Sequence, residues 1–258
     1  MIDLIMEEVK KFEGQISIVL KDLINDKWIL KFEEDKVYPS ASLIKVPIML
    51  EALFRARDGE LNLEKKISIK DEDRVNYSII SDLNIDKYSL LDIITLMIIV
   101  SDNAATNVLI DLLGFDKINQ RLEALNCRHT ILQRKMLDFD SAREGRDNLT
   151  SAGDMALMME GLYDKTILGA EYSDIAIDIL LKQKYKDKLG RYISEDVPIA
   201  HKTGELSRIS HDVGIFYLPT AHYLLGILTK DVDSIYGQRI IGNISKIVYT
   251  NSVGKADM

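Results

Sequence analysis

The order of two hydrophobic patterns along the chain most constrains its fold. Alternation of apolar and polar residues, the period of a half-buried strand, occurs near both ends, whereas the middle shows the three- and four-residue spacing of helices. The strand-like segments are Gln15 to Asp22, Lys27 to Asp35, Arg208 to Leu218 and His222 to Asp231. The first two meet at the turn residues Asn25-Asp26, and the last two meet at Pro219-Thr220. Each pair therefore predicts a hairpin.

The helical periods between these hairpins predict a separate group of helices. They cover Leu43 to Arg57, Leu90 to Val100, Asn103 to Leu113, Phe115 to Leu125, Ala152 to Tyr163 and Ser173 to Lys184, and a last one covers Tyr236 to Tyr249. We predict an α/β fold of layered α+β type, in which one antiparallel sheet built from both chain ends is flanked by terminal helices and carries an inserted all-helical lobe. We expect one catalytic domain, with an α/β lobe at about 1–38 and 190–258 and a helical lobe at about 39–189. A cleft between the lobes is the expected place for chemistry.

Charge and composition exclude several classes of function. Lys and Arg total 33 against 41 Asp and Glu, a net charge of −8, which disfavours nucleic acid as a partner. No apolar run is long enough to span a membrane, and the first residues lack the pattern of a signal peptide, so we expect a cytoplasmic location unless the native chain starts further upstream. The single Cys127 allows no internal disulfide.

Ser42 and Lys45 stand three residues apart at the start of the first long helical segment. Residues at this spacing are neighbours on one helix face. The positive end of a helix and nearby apolar side chains both disfavour an ammonium ion, so the Lys45 amine can take the proton of Ser42 and make it a nucleophile. The spacing alone is weak evidence, because Ser252 and Lys255 repeat it near the C-terminus.

Ser101, Asp102 and Asn103 form a short polar cluster between two apolar helical segments. Ser, Asp and Asn are all common helix-capping residues, and capping alone would explain the cluster. The alternative is that the Ser101 hydroxyl relays a proton and the Asn103 amide binds substrate at a cleft. Asp102 is expected to be structural.

Lys202, Thr203 and Gly204 stand where the strand pattern returns. A lysine on an edge strand followed by a Thr-Gly turn would explain them without a function. In the functional alternative, Lys202 and Thr203 bind a carboxylate, and Gly204 lets the substrate backbone lie close to the strand.

Together, the three motifs SLIK, SDN and KTG, in this order, resemble those of the penicillin-recognising serine hydrolases, and among them the class A β-lactamase family. The resemblance covers nearly the whole chain and implies a serine hydrolase that opens a β-lactam amide through an acyl-enzyme, with no cofactor and no metal. It implies the following roles: Ser42 as nucleophile, Lys45 as proton acceptor, Ser101 as proton shuttle, Lys202 and Thr203 as carboxylate ligands, Asn103 as a ligand of the substrate amide side chain, and the backbone N–H groups of Ser42 and Glu205 as the oxyanion site. The implied partner is a small-molecule β-lactam or acyl-D-Ala-like compound, and we expect a monomer.

The sequence departs from this family at two places. Glu205, directly after Gly204, is unfavourable for an anionic substrate. In the family's Ω-shaped loop, matching Arg134 to the loop's arginine puts Met136 where the water-activating glutamate is expected. Arg134 and Asp147 are expected to close a shortened loop by an ion pair, and Met136 cannot act as a base.

The missing glutamate leaves three hypotheses open. The first is a β-lactamase that acylates and then deacylates slowly, unless an acid of the loop replaces the base; the candidates are Asp138, Asp140 and Glu144. The second is a D,D-peptidase or esterase of the same fold. The third is a β-lactam-binding sensor that is acylated once. The four histidines show no zinc-ligand spacing, so no metal site is expected.

Overall fold

The computed structural model describes residues 1–253, and its centre is a five-stranded antiparallel sheet. The sheet strands are β1 (Gln15–Asp22), β2 (Lys27–Phe32), β7 (Ile199–Leu206), β8 (Ile209–Tyr217) and β9 (His222–Lys230). Their order is β2-β1-β9-β8-β7, so the N-terminal hairpin pairs with the last strand of the chain. Two short ladders lie outside this sheet, formed by β3 (Tyr38–Pro39) with β6 (Leu149–Thr150) and by β4 (Lys66–Ser68) with β5 (Lys87–Ser89).

Helices cover both faces of the sheet. They are α1 (Ile2–Lys11), α2 (Lys45–Arg57), α3 (Ile79–Asp82), α4 (Leu90–Ile99), α5 (Asn103–Leu113), α6 (Phe115–Ala124), α7 (Phe139–Arg143), α8 (Ala152–Tyr163), α9 (Gly169–Leu181) and α10 (Ser234–Val253). None of the helices in the described part of the chain has the length and hydropathy that a membrane span requires.

Two hydrophobic cores lie on opposite faces of the sheet. Successive strand residues point to opposite faces; Val19 of β1 packs with the helices of the middle segment, whereas its neighbour Ile18 packs with α1 and α10. All six inner residues of β1 are buried for this reason. The prediction of one antiparallel sheet built from both chain ends, with terminal helices and an inserted group of helices, is confirmed.

The predicted element boundaries are accurate where a local signal marks the end. β1, α5 and α8 have the predicted bounds, and α5 begins after its cap, Asp102. The second strand ends at Phe32 instead of Asp35, because Glu33 adopts a φ of +52°, which breaks the extended conformation. α9 lies over Gly169–Leu181 instead of Ser173 to Lys184, and its first residue follows a cap position, Leu168, whose side chain makes no capping hydrogen bond.

The segment that carries Ser42 differs locally from the predicted helix. Residues Ala41–Ile44 form a 3₁₀-helix, and α2 begins at Lys45. Side chains at positions i and i+3 eclipse in a 3₁₀-helix, which brings Ser42 and Lys45 to the same side. The second Ser-x-x-Lys copy offers no such arrangement in the described chain: Ser252 lies in α10, where its hydroxyl donates to the carbonyl of Val248, and Lys255 lies outside the described residues.

Candidate active site

A cavity of about 620 Å³ lies beside the edge strand β7 and is lined by residues of all three motifs. From the motifs it is lined by Ser42, Ser101, Asn103 and Thr203, together with Glu205. Lys45 and Lys202 are fully buried next to it, and their Nζ atoms both reach Ser101. The structure thus brings residues from widely separated parts of the chain into one site.

Ser101 is the centre of the polar contacts in this site. Lys45 Nζ lies 3.1 Å from Ser101 Oγ and 2.6 Å from its carbonyl oxygen. Lys202 Nζ donates to Ser101 Oγ from the other side, also over 3.1 Å, and to the Thr203 carbonyl over 2.7 Å. The Ser101 hydroxyl therefore links two amines that are 157 positions apart in the sequence.

Burial and mutual repulsion change the protonation of the two lysines. Burial lowers the pKa of Lys45 well below its usual value, the charge of Lys202 lowers it further, and Asp102 opposes the shift. Burial likewise lowers the pKa of Lys202 to about 7, although Asp212 opposes this. Desolvation disfavours the charged form of an amine, so burial favours loss of the proton from both amines, and it puts Lys202 near the midpoint of its titration at neutral pH.

Asn103 and Asp102 have separate roles beside Ser101. The Asn103 amide oxygen accepts from Lys45 Nζ over 3.0 Å, and the residue also faces the cavity. Asp102 is buried and caps α5 by accepting the N–H of Ala105 over 2.8 Å. It also accepts the hydroxyl of Ser78 over 2.7 Å. Asp102 thus holds the start of α5 to the segment before α3, and the expectation that it is structural is confirmed.

Ser42 is half-buried at the cavity wall, and its hydroxyl has no hydrogen-bond partner within residues 1–253. The residue before it, Ala41, has a φ of +47°. An unpaired hydroxyl that faces a cavity is available to a ligand.

Backbone strain is concentrated around the cavity. Ten non-glycine residues of the described chain have positive φ, and four of them line this cavity. These four are Ala41, Tyr77, Ser101 and Leu137. The left-handed conformation costs an L-residue about 1–2 kcal/mol, and such strain concentrates at functional sites. No sequence signal marks these positions.

Gly204 lies against the segment that carries the nucleophile candidate. A Cβ atom built on Gly204 would lie 3.2 Å from the Ser40 carbonyl oxygen, 3.3 Å from Ala41 Cβ and 3.3 Å from Leu43 Cγ. The missing side chain therefore lets β7 pack closely on the 3₁₀-helix, whereas the sequence had suggested room for a substrate backbone. This close packing sets the position of Thr203 and Glu205 relative to Ser42.

Lys188 lies at the same end of the cavity and was not predicted from the sequence. Its side chain is only 2% exposed, and its Nζ donates to Glu205 Oε2 over 2.9 Å and to Asp187 Oδ2 over 3.0 Å. Burial alone would lower its pKa, but Asp187 and Glu205 outweigh burial and raise the pKa of Lys188 above its usual value. It lies in the segment KYKDKLGRY, which resembles a solvated charged loop, so no local pattern indicates its burial.

The loop that contains Met136 forms another part of the cavity wall. Arg134 Nε donates to Asp147 Oδ1 over 2.7 Å, so the predicted ion pair that closes the loop is confirmed. The Met136 N–H donates to the Asn107 amide oxygen over 2.8 Å, and the Met136 carbonyl accepts from the Asn107 amide nitrogen over 3.3 Å. Met136 itself is buried and lines the cavity.

The three loop acids considered as a replacement base do not line the cavity. Asp138 caps α7 by accepting the N–H and the hydroxyl of Ser141, and these bonds lower the pKa of Asp138. Asp140 pairs with Arg143, and Glu144 pairs with Arg146. Their side chains are 80% and 61% exposed, so both face solvent.

Comparisons with known proteins identify what this architecture is similar to. The sequence model of the beta-lactamase enzyme family matches residues 2–251. The structure is similar to a beta-lactamase from Sphaerobacter thermophilus DSM 20745, with 24% identity, a TM-score of 0.88 and coverage of 97% of this chain and 96% of that chain. It is also similar to a PBP-A mutant, solved as an acyl-enzyme complex with penicillin G, with 24% identity, a TM-score of 0.87 and coverage of 96% and 94%. A class A beta-lactamase representative from Bacteroides cellulosilyticus DSM 14838 matches with 22% identity, a TM-score of 0.88 and coverage of 96% and 95%. At these identities the structural likeness establishes the fold.

Proposed function

The chain belongs to the beta-lactamase enzyme family, and from that premise we propose that it is a serine hydrolase that opens a β-lactam amide through an acyl-enzyme on Ser42. The observation that carries this proposal is the convergence of Lys45 and Lys202 on the Ser101 hydroxyl beside the Ser42 cavity. A nucleophilic serine needs an adjacent base, and a desolvated lysine is one of the few side chains that can supply it.

The proton leaves Ser42 for the neutral amine of Lys45 as Oγ attacks the lactam carbonyl carbon. A neutral amine has one lone pair and two N–H donors. Lys45 can therefore donate to the Ser101 carbonyl and to Asn103 while its lone pair accepts a proton. When the C–N bond breaks, Ser101 gives its hydroxyl proton to the leaving nitrogen and receives the proton that Lys45 took from Ser42, and its contact with both amines supports this role.

Substrate binding is assigned to the β7 edge. Lys202 and Thr203 hold the carboxylate, Asn103 contacts the amide side chain, and the backbone N–H groups of Ser42 and Glu205 stabilise the oxyanion. β7 is an edge strand, so its outer backbone groups are not used in the sheet. One oxyanion donor typically lowers the reaction barrier by about 3 kcal/mol.

Deacylation is proposed to be slow. Met136 occupies the wall where the family's glutamate is expected, and the loop acids face solvent or cap a helix. General-base catalysis usually contributes about 10²–10⁴-fold, so its loss lets the acyl-enzyme accumulate.

Intact-mass spectrometry after mixing with a chromogenic cephalosporin tests the proposal. We expect one adduct per chain, located on Ser42 by peptide mapping, that decays over minutes or longer. Lys45→Ala removes the base and should slow adduct formation by at least about 10²-fold, whereas Lys10→Ala, on α1 away from the cavity, should not. A chain that forms no adduct on Ser42 would contradict the assignment.

A D,D-peptidase or esterase of the same fold is the second candidate, and it is favoured by Met136 in the cavity wall. Steady hydrolysis of acyl-D-Ala peptides or esters, with no lactam turnover, would select it. The third candidate is a sensor that is acylated once. An adduct that persists for hours would select this candidate.

A further inference from the structure

The mouth of the Ser42 cavity is rich in exposed apolar side chains. Residues 1–253 contain fifteen large hydrophobic residues that are exposed to solvent, and four of them line this one cavity. The four are Tyr77, Ile79, Phe139 and Tyr185. They come from three separate segments of the chain, so no single helix face explains the cluster. Exposed apolar groups that several segments bring together at a cavity usually mark a binding site.

Tyr77 shows most clearly that this cluster does not serve the fold. It has a φ of +54°, a conformation that is strained for an L-residue. Its side chain is 85% exposed and makes no hydrogen bond or ring contact within residues 1–253. A strained aromatic residue that is exposed and held by no such contact is typical of a functional position.

The α3 part of the cluster lies beside Asn103. Asp102, the residue before Asn103, accepts the Ser78 hydroxyl over 2.7 Å and the N–H of Ile80 over 3.1 Å. These two bonds hold Ile79 next to the start of α5, and both Ile79 and Asn103 line the cavity. In the proposed mechanism Asn103 contacts the amide of the acyl group, so a chain that continues beyond this amide reaches Ile79.

The loop that contains Met136 supplies further apolar surface. The loop is fixed to α5 by two hydrogen bonds, and it brings Leu137 and Phe139 to the cavity. The Phe139 side chain is 48% exposed, so half of it is available to a ligand. Two charged residues also line this part of the cavity, but Arg134 is paired with Asp147 over 2.7 Å and Asp82 is exposed to solvent.

We propose that this site selects acyl donors whose acyl group continues beyond its amide as an apolar alkyl or aryl chain, and that Ile79 and Phe139 enforce the choice. The inference rests on the proposed function, because it assigns the acyl part of the substrate of Ser42. The substrate's own chain is the occupant, since these apolar residues line the same cavity as Ser42 and Asn103. Contact with Ile79 and Phe139 removes apolar surface of both partners from water.

Three thioesters with mercaptoacetate as their common leaving thiol test this inference. Their acyl groups are N-acetylglycyl, N-hexanoylglycyl and an N-acylglycyl group whose chain has the length of hexanoyl but contains ether oxygens. In each, Ser42 Oγ bonds to the carbonyl carbon, the C–S bond breaks, and the thiol leaves with the hydroxyl proton. Intact mass, followed over a range of thioester concentrations, gives the half-saturating concentration and the limiting rate constant of acylation.

We expect the hexanoyl compound to half-saturate the wild-type chain at an about tenfold lower concentration than the acetyl compound, because part of its added methylene surface is buried. The ether compound should behave like the acetyl compound. The limiting rate constants should agree within about twofold, since contacts remote from the reacting bond stabilise the ground state and the transition state alike.

Phe139→Ala and Ile79→Ala should each reduce the hexanoyl advantage by about threefold, and the double variant should abolish most of it. Both side chains are exposed, so the substitutions leave the core intact. Leu4→Ala is the matched control, because Leu4 is 48% exposed like Phe139 but lies on α1, outside the cavity. This variant should keep the full hexanoyl advantage.

Equal half-saturating concentrations for the hexanoyl and acetyl compounds, or an advantage that the double variant retains, would overturn the inference while leaving the proposed function intact. An ether compound that binds as well as the hexanoyl compound would also overturn it, because length and not apolar character would then be selected. Failure of all three thioesters to label Ser42 would overturn the proposed function and the inference together.

Discussion

The two walls of the cavity are built in different ways. The wall that carries Lys45, Ser101 and Lys202 consists of polar groups that contact one another across long sequence separations, and its two lysines are fully buried. The loop wall is fixed at Arg134 and at Met136, but its acids pair with nearby residues at the surface. In the proposed mechanism, the first wall carries the chemistry of acylation, and the second places a thioether where a base would activate water. The two steps of the proposed reaction are thus supported unequally by the two halves of one site.

The largest expected effect comes from Ser42, the proposed nucleophile. Ser42→Ala should reduce acylation by roughly 10⁴-fold or more, because loss of a nucleophilic serine removes the covalent route. Stopped-flow acylation and adduct mass measure this. Ser40→Ala is the matched control, since Ser40 lies two residues before Ser42 and is fully buried. Label retained in Ser42→Ala and lost in Ser40→Ala would reverse the assignment.

The next largest effect is expected at the second wall. Met136→Glu places a carboxylate on a backbone that Asn107 fixes by two hydrogen bonds, and it should raise the deacylation rate constant by about 10²–10⁴-fold if that carboxylate activates water. The lifetime of the adduct measures this. Met136→Gln has a similar size without a base and should leave the adduct long-lived. Equal lifetimes in the two variants would show that the loop lacks more than a base.

A smaller effect is expected from the protonation of Lys202. Its pKa is lowered to about 7, so its charge is present below that pH and is lost as the pH rises through it. We expect KM for a carboxylate-bearing substrate to increase by up to about tenfold between about pH 6 and pH 9 as this ammonium is lost. The matched carboxamide should show a flatter profile, and Lys202→Arg, which stays charged, should flatten the carboxylate profile. Identical profiles for both substrates would assign the titration to another group.

The smallest effect is expected from Asp138, on the loop wall. Asp138→Ala removes the cap of α7 and should lower the free energy of unfolding slightly, while Asp138→Asn, also a good cap, should leave it nearly unchanged. Urea denaturation measures both. The adduct lifetime should change less than twofold in either variant. A much longer lifetime in Asp138→Asn would identify Asp138 as the deacylating base.

Much of this architecture could be predicted from local signals. The strand periods of β1, β8 and β9 and the cap of α5 indicated where these elements lie. The three motifs also indicated which residues to examine together. The predicted ends of elements were wrong where a backbone conformation ends the element. Glu33 is the example, because its positive φ ends β2 before the predicted residue. The presence of Met136 where the resemblance places a glutamate was equally visible in the sequence, because it depends on a single position in a recognisable loop.

What the sequence by itself determined is the set of elements, their order and the identity of the candidate reactive side chains, because periodicity and motif spacing are local properties. Only the tertiary structure decided the environment of those side chains. The lowered pKa of Lys45 depends on full burial and on Lys202, and the acidic surroundings at the β7 end of the cavity depend on Lys188 being buried between Asp187 and Glu205. These electrostatic effects arise from desolvation and from contacts between distant segments, and neither is encoded in a local pattern.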